Sequence, residues 1–467
     1  MGGEKLAPHV CKRSANVFTL TPIADVLEHD HGSGASPFSR VRNAAHEPAT
    51  GELLMTSAQR LAAVLFVVLV MLALPQAALA APPIFVGDGT PGSCTEMALK
   101  DALIIAETIG GATIRFNCGS GPVTIALSEV TTSPGFPVLL VLPNNTTIDG
   151  GGLITLDGTS TATVAFVDRD TTAELRGLGI VNGRGAVGTG TGGLTPGGSA
   201  GGMVNAGTLI LRNCTVAGNV SFFTGGIDNR GTLTVDDSRF FGNANQNGLG
   251  GGISNGGTLT IKQSTFSDNF SFVDGGGIFN VGTLTIKQST FFSNSTADGL
   301  GGGIANFGIL HVEGTNFSEN LSGFGGGIYD SGVLTIKGST FSENTAGFGG
   351  GFFTSGEFEI NDTTFSGNVA TGGADSGGGL FITPSGSGVL NHSTVAGNTG
   401  SVNGGGIFNG GTLVARDSII TQNAASRAGG GIYTCVEGAV CFFGFGAGTL
   451  TLKDTSVTEN TPDDIFP

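Results

Sequence analysis

The clearest pattern in this chain is a repeat in which apolar and polar residues alternate, and which most often recurs every 24–26 residues. A typical copy starts at Gly257 and continues Thr-Leu-Thr-Ile-Lys-Gln-Ser-Thr-Phe-Ser-Asp to Asn269. Leu259 and Ile261 alternate with polar residues, which predicts a strand with one buried face. Nothing in the repeat has the 3.6-residue period of a helix.

Ten copies align on an opening glycine, and in each of them an asparagine follows twelve residues later. These asparagines are Asn219, Asn243, Asn269, Asn294, Asn320, Asn344, Asn368, Asn398, Asn423 and Asn460. Two further apolar positions recur, one at a Phe such as Phe266 and one after a glycine run, as at Ile278. A small residue such as Ser264 precedes the Phe by two positions. Each copy therefore predicts three short strands joined by turns.

Stacking of the copies follows from their apolar faces, because one copy cannot bury its own face but a stack can. The predicted fold is all-β, a right-handed parallel β-helix (solenoid) with about 24–26 residues per coil. Neighbouring coils should lie roughly 4.8 Å apart. Like side chains then stack on like, and the buried asparagines form a structural ladder of hydrogen bonds.

The chain divides into segments of different character. The predicted segments are 207–467 with ten β-helix repeats, 126–206 with irregular first coils, 81–125 as an N-terminal cap containing a helix over 95–108, 55–80 as a signal peptide, and 1–54 upstream of it. Thr95 can cap the helix, and Gly110 can end it. We expect the helical cap to cover the open end of the solenoid, since an uncovered strand edge invites aggregation.

Residues 55–80 have the organisation of a secretory signal peptide. Arg60 precedes an apolar run over 61–74, and Ala-Leu-Ala offers a cleavage site after Ala80. The run is short for a membrane anchor, the alternative interpretation, and the small-residue site favours cleavage. Residues 1–54 are interpreted either as a mis-assigned translation start, with Met55 as the true initiator, or as an unusually long n-region.

Cysteine usage agrees with export. Cys94 and Cys118 flank one N-terminal unit and are candidates for a disulfide, and Cys435 and Cys441 are candidates for another. Cys214 occupies the small inward position filled by Ser or Thr in other copies, so we expect it to be buried. A reactive thiol is the alternative.

Composition excludes several classes of protein. The 84 glycines show no three-residue period, which excludes collagen, and 39% apolar against 12% charged residues argues against disorder. A formal net charge of -16 argues against nucleic acid or an anionic membrane surface as partner.

Two sets of residues resemble known bacterial families. Phe-x-x-Asn, as in 266–269, with Gly-Gly-Gly-Ile, as in 275–278, resembles the repeat of polymorphic outer membrane proteins. The segment Cys-Thr-Glu-Met-Ala-Leu-Lys-Asp-Ala-Leu from Cys94, and Asn-Thr-Thr-Ile-Asp-Gly-Gly-Gly over 145–152, are similar to secreted proteins with pectin-lyase-like β-helices. The resemblance covers about Cys94 to the C-terminus. It implies a fold and a surface or adhesion role more than an activity, because the matched residues are ladder and corner positions.

Catalytic chemistry has three candidates in this sequence. Glu319 and Glu343 occupy the same position of adjacent coils, and Asp268 lies in the same row. Carboxylates of this kind perform glycoside hydrolysis or bind calcium, and an exposed, solvated acidic row is the alternative. The Gly-His-Gly and Arg-x-Lys sequences of polygalacturonase-like enzymes are absent, and His311 and His392 are expected to be structural or solvent-facing.

Two outward sets complete the candidate surfaces. A charged row with neighbouring opposite charges consists of Arg212, Asp236, Lys262, Lys287, Glu313 and Lys337. Aromatic residues in variable loops, some lining an edge for a partner and more filling turns, are Phe222, Phe223, Phe270, Phe272, Phe324 and Phe348.

We therefore predict a secreted or cell-surface β-helix protein with a non-enzymatic adhesion, interaction or structural role. The alternative is a polysaccharide lyase or glycoside hydrolase with the pectin-lyase-like fold. We expect no cofactor and no metal, with calcium as the one alternative, and no transmembrane segment in the mature chain. An extracellular glycan or protein surface is the expected partner, and nucleic acid is not.

Overall fold

The computed structural model describes residues 82–132, 135–185, 200–373, 375–435 and 447–466. They belong to the compact unit Leu79–Pro467, and the predicted signal peptide at 55–80 and the segment 1–54 lie outside the described residues. The fold is a parallel β-helix, as predicted, because equivalent strands of successive coils pair in parallel. Three sheets run along it, here called sheets 1, 2 and 3 in the order in which a coil visits them.

Sheet 1 has 25 strands in the described part of the chain, two for each regular coil. They are Ile84–Val86, Thr113–Phe116, Val123–Ala126, Thr146–Asp157, Thr172–Val181, Thr208–Arg212, Thr215–Ala217, Thr232–Asp236, Arg239–Phe241, Thr258–Lys262, Thr265–Ser267, Thr283–Lys287, Thr290–Phe292, Ile309–Glu313, Asn316–Ser318, Val333–Lys337, Thr340–Ser342, Glu357–Asn361, Thr364–Ser366, Ser387–Asn391, Thr394–Ala396, Thr412–Arg416, Ile419–Thr421, Thr449–Lys453 and Ser456–Thr458.

Sheets 2 and 3 are formed by shorter strands, nine and 13 of them among the described residues. Sheet 2 consists of Val220–Ser221, Ala244–Asn245, Phe270–Ser271, Ser295–Thr296, Leu321–Phe324, Thr345–Phe348, Val369–Ala370, Thr399–Gly400 and Ala424–Ala425. Sheet 3 consists of Val138–Val141, Thr163–Val167, Met203–Asn205, Ile227–Asn229, Ile253–Asn255, Ile278–Asn280, Ile304–Asn306, Ile328–Asp330, Phe352–Thr354, Leu380–Ile382, Ile407–Asn409, Ile432–Thr434 and Ile465–Phe466.

A regular coil contains four strands, one more than the three predicted, because the residues after the ladder asparagine, Phe270–Ser271 in the typical coil, form the additional strand of sheet 2. The interval from the opening glycine to the asparagine contains two strands, Thr258–Lys262 and Thr265–Ser267. Gln263, between them, has a φ of 47°, which breaks the alternation. Because of this break, Ile261 and Ser264 both point inward although three positions separate them.

Identical side chains stack inside the coils, and these stacks form the core. Leu259 pairs in register with Leu284, and Ile261 with Ile286. An inner phenylalanine column, defined as Phe240, Phe266, Phe291, Phe317, Phe341 and Phe365, has ring centroids 4.6–5.0 Å apart and nearly parallel rings. Each of these rings is fully buried, so the column contributes both apolar burial and ring stacking.

The predicted asparagine residues form a continuous ladder beside this column. In the typical step, Asn269 Nδ2 donates to Asn294 Oδ1 at 2.9 Å and to the Phe240 carbonyl at 3.0 Å. The backbone N–H of Asn269 donates to the same Asn294 oxygen at 3.2 Å. At the far end, Asn460 Nδ2 donates to Asp464 Oδ1 at 3.0 Å, so a carboxylate accepts the last side-chain bond.

A second ladder runs along sheet 3, which the sequence pattern did not predict. Its members are Asn205, Asn229, Asn255, Asn280, Asn306 and Asp330, joined by Nδ2-to-Oδ1 hydrogen bonds of 2.7 Å. The recurring Asn after the glycine run was the signal for it.

The N-terminal region contains the one α-helix of the described residues, α1 at Glu96–Thr108, preceded by a 3-10 turn at Pro91–Ser93. Thr95 is its N-cap, because the Thr95 hydroxyl accepts from the Ala98 N–H at 3.2 Å. Leu99 and Leu103 are buried in the core cluster shared with the first coils. The helix lies where the sequence predicts it, and its role as a cover of the solenoid end stays a prediction.

Cysteines take three different positions. A disulfide joins Cys94 to Cys118, with Cα atoms 5.7 Å apart. Cys435 is disulfide-bonded, and Cys441 lies outside the described residues. Cys214 is a buried thiol, and burial raises its pKa to about 11, which suppresses the thiolate that a reactive cysteine needs.

In the described part of the chain, no helix has the length and apolar character needed to cross a membrane.

Candidate functional site

The predicted acidic row lies on the turn between sheets 1 and 2. Asp268, Glu319 and Glu343 precede their ladder asparagines and have φ values of 54–56°. The backbone N–H of Glu319 donates to the Ser342 carbonyl at 3.2 Å, which places Glu319 and Glu343 on adjacent coils. All three side chains are exposed. The coil between Asp268 and Glu319 carries Ser293 in this position, so the row is not a continuous carboxylate cluster.

Metal binding requires several ligands around one point. Within the described ranges, no group of three or more His, Cys, Asp or Glu side chains is arranged to hold an ion. The row contributes carboxylates in line along the surface, and two neighbouring carboxylates alone make a poor calcium site.

The outer face of sheet 1 is a broad surface rich in small hydroxyl residues. Thr258 pairs in register with Thr283, and Thr260 with Thr285, so hydroxyl groups repeat from coil to coil. Beside them runs the predicted charged row, in which Arg212 and Asp236 approach to 2.6 Å. Opposite charges therefore lie in adjacent coils, and exposed pairs of this kind contribute under about 1 kcal/mol each.

A shallow depression of about 420 Å³ lies on this same face. It is lined in part by His311, Lys337 and the ion pair Lys287–Glu313, whose Nζ and Oε2 atoms are 2.8 Å apart. The hydrogen bond from Lys287 lowers the pKa of Glu313 and holds it ionised. A carboxylate whose pKa is lowered by a lysine is a poor general base. His311 and His392 are both exposed, and for His392 this confirms the prediction.

An aromatic column on the outer side of sheet 3 is the largest feature that the sequence reasoning missed. The outer aromatic column consists of Tyr329, Phe353, Phe381, Phe408, Tyr433 and Phe466. Their ring centroids are 4.5–5.5 Å apart and the planes differ by 3–16°. The signal was the residue directly after the inward Ile, Phe or Leu of each sheet 3 strand, which points outward because side chains alternate along a strand.

A cleft of about 460 Å³ opens on this column. Its floor consists of Tyr329 and Phe353 from adjacent coils. One wall is apolar and consists of Leu300 and Phe324. The opposite wall is largely polar and consists of Ser355, Thr383, Pro384 and Ser385. None of these described lining residues carries a charge.

Hydrogen bonds order the polar wall. Ser385 Oγ donates to the Ser355 carbonyl at 3.1 Å, and it lies 3.1 Å from Thr383 Oγ1. Burial raises the pKa of the Tyr329 hydroxyl, while hydrogen bonds with Ser355 and Ser331 act in the opposite direction. Tyr329 therefore stays neutral at ordinary pH and presents its hydroxyl on the polar side of the cleft.

Four of the predicted loop phenylalanines lie in two places, two of them at the cleft and two on the side of sheet 2. Phe324 and Phe348 stack at 5.3 Å, and Phe324 stands at 78° to Phe353, with centroids 5.4 Å apart. Phe270 and Phe272 are exposed elsewhere, on the side of sheet 2. The expectation that some loop phenylalanines line an edge therefore applies to Phe324 and Phe348, which border the cleft or lie against it.

A scan against protein-family models finds no match, and neither does a search of curated proteins.

Proposed function

We propose that this chain is a secreted or cell-surface bacterial β-helix protein with a non-enzymatic adhesion or interaction role. The observation that carries the proposal is the distribution of chemical groups. The charged side chains of sheet 1 lie in a row that continues from coil to coil, in which Arg212 pairs with Asp236 and Lys287 with Glu313, whereas an enzyme concentrates groups with strongly shifted pKa values in one groove. The broad surfaces rich in Thr and Ser, and the aromatic cleft, are suited to contact with a partner.

Two sequence features support the cellular location. The segment 55–80 has the organisation of a cleaved signal peptide, and a disulfide between Cys94 and Cys118 is typical of oxidising compartments. The resemblance to polymorphic outer membrane protein repeats and to pectin-lyase-like secreted proteins favours a role at or outside the cell surface.

The second candidate function is a polysaccharide lyase or glycoside hydrolase. The observation that favours it is the stacking of Glu319 and Glu343 on adjacent coils. Calcium is the cofactor that such a row would take, and it is proposed only with this function.

The experiment uses the purified chain from residue 81 onward, together with Glu319→Gln and Glu343→Gln variants. The chain is immobilised on beads and tested for binding to an array of extracellular glycans and matrix proteins. It is also incubated with polygalacturonate and neutral glycans, with and without calcium. We expect saturable binding without turnover, unchanged in both variants. Turnover that disappears in either variant would replace this proposal by the enzymatic one.

A further inference from the structure

The cleft on the outer aromatic column has the two-sided chemistry of a site for a neutral sugar. One wall is apolar and consists of Leu300 and the half-buried ring of Phe324, which packs edge-to-face on the buried Phe353 with ring centroids 5.4 Å apart. The other side offers the hydroxyls of Ser355, Thr383 and Ser385. A saturated sugar ring has the same division, with C–H groups on its faces and hydroxyls at its rim. The volume of the cleft, about 460 Å³, lies within the range of roughly 300–1,000 Å³ that is typical of small-molecule sites.

Charge restricts the class of sugar. The described lining residues carry no cationic group, and a carboxylate or sulfate inside the cleft would lack a partner. Asp274 lies behind the apolar wall, where its Oδ1 accepts from the Leu300 N–H at 2.9 Å, and it adds negative charge nearby. The net charge of -16 further opposes an acidic polymer.

We propose that this cleft binds an uncharged hexose or pentose residue of an extracellular glycan. The proposal rests on the interaction role proposed above and gives its ligand class. Leu300 and the half-buried ring of Phe324 hold the C–H face of the sugar. Ser385 and the Tyr329 hydroxyl bind its hydroxyl groups.

The chain offers an internal probe for this site. It contains no Trp and two Tyr residues, and one of them, Tyr329, forms the floor of the cleft. In a Tyr433→Phe background, Tyr329 is the tyrosine that remains, so its emission reports on the cleft. This background variant preserves the ring that stacks on Phe408 at 5.5 Å.

The test is a fluorescence titration of the Tyr433→Phe protein with neutral hexasaccharides of glucose, mannose and xylose, and with hexagalacturonate. We expect a saturable change of Tyr329 emission with at least one neutral series and none with hexagalacturonate. Phe324→Ala should weaken this binding by about tenfold or more, since it removes an aromatic anchor. Ser385→Ala, which changes an exposed hydroxyl and leaves the fold intact, should weaken it to a smaller extent. Phe270→Ala is the matched control, an exposed phenylalanine away from the cleft, and should leave the affinity unchanged.

Three results would overturn the proposal: no response to any neutral sugar, a response to hexagalacturonate alone, or equal loss in Phe324→Ala and Phe270→Ala. The bead assay separates this failure from failure of the proposed function. If Phe324→Ala beads retain the partners of the parent protein, the interaction role stands and the cleft assignment is wrong. If beads that carry the parent protein bind no glycan and no matrix protein, the interaction role itself is wrong.

Discussion

Asp330 is the residue at which the sheet 3 ladder changes its hydrogen bonding. Asn306 Nδ2 donates to Asp330 Oδ1 at 2.7 Å, and Thr354 Oγ1 donates to Asp330 Oδ2 at 3.2 Å. A carboxylate accepts from both neighbours, whereas each asparagine from Asn229 to Asn306 accepts from one neighbour and donates to the next. Burial raises the pKa of Asp330 to about 6, although these donors act against the shift.

This raised pKa predicts a pH dependence of stability. The folded chain holds the Asp330 proton more tightly than the unfolded chain does. The contribution of Asp330 protonation to the free energy of unfolding is therefore complete below pH 3.8 and is lost as the pH rises through about 6. The loss should amount to about 3 kcal/mol at most. We expect Asp330→Asn to remove this pH-dependent part of the stability, because an amide keeps the hydrogen bond from Asn306 and has no charge to bury.

The measurement is the urea midpoint of both proteins between pH 4 and 8. Asp268→Asn, at an exposed turn, is the control and should follow the parent profile. Parallel profiles for the parent and Asp330→Asn would show that Asp330 does not cause the dependence.

At the scale of the strand, the residue in the αL conformation decides which side chains enter the core. Gln263 has positive φ in the typical coil, and the equivalent Gln288 does so in the next coil. This single residue shifts the alternation, so that Phe291 points inward and the neighbouring Phe292 points outward. Two adjacent phenylalanines thus have opposite environments within one three-residue strand.

The pair Phe291 and Phe292 provides a matched test of the inner phenylalanine column. Phe291→Ala removes a fully buried ring stacked at 4.9 Å on Phe266, and should cost about 3–5 kcal/mol of unfolding free energy. Phe292, with 36% of its surface exposed, should cost about 1 kcal/mol or less on the same change. Urea unfolding followed by far-UV circular dichroism measures both. Equal losses would mean that the column is not the source of the stabilisation.

Much of this element pattern was predictable from the sequence. The fixed interval from the glycine to the asparagine placed Leu259, Ile261, Phe266 and Asn269 inward, since like residues must stack in a solenoid. The break at Gln263 was not predicted, because glutamine carries no strong signal for positive φ.

The sequence predicted the candidate surfaces less well than the core. The outer aromatic column was missed because its residues come one per coil, each beside the inward residue of its sheet 3 strand, so that no single coil contains an aromatic cluster. The cleft additionally requires Thr383 and Ser385, which belong to a coil of atypical length. Loop residues of one irregular coil have no repeat against which to be aligned.

At the scale of the whole solenoid, each coil contacts mainly the coil before it and the coil after it. Asn269, for example, bonds to Asn243 on one side and to Asn294 on the other. Stability should therefore be close to a sum of coil and interface terms.

This organisation predicts that one complete coil can be removed. Deletion of residues 257–281 brings Asn243 beneath Asn294 and Phe240 beneath Phe291, with every sheet still in register. We expect a folded protein with the β-sheet circular dichroism of the parent and a cooperative unfolding transition. Deletion of 257–269 alone, the control, shifts the register and should prevent folding. Loss of structure in both deletions would contradict the independence of the coils.

The asparagine ladder has one further consequence, which concerns its direction. Every side-chain amide from Asn219 to Asn460 directs its oxygen toward the N-terminal end or the preceding asparagine and one of its two N–H groups toward the C-terminal end, so the amide dipoles add along the axis instead of cancelling. The positive pole of this array ends on the Asp464 carboxylate, and the array in sheet 3 ends on Asp330 in the same way. As at the N-terminus of an α-helix, aligned dipoles favour an anion at their positive pole. Two separate arrays of neutral amides thus end on a carboxylate acceptor at the same end of their columns.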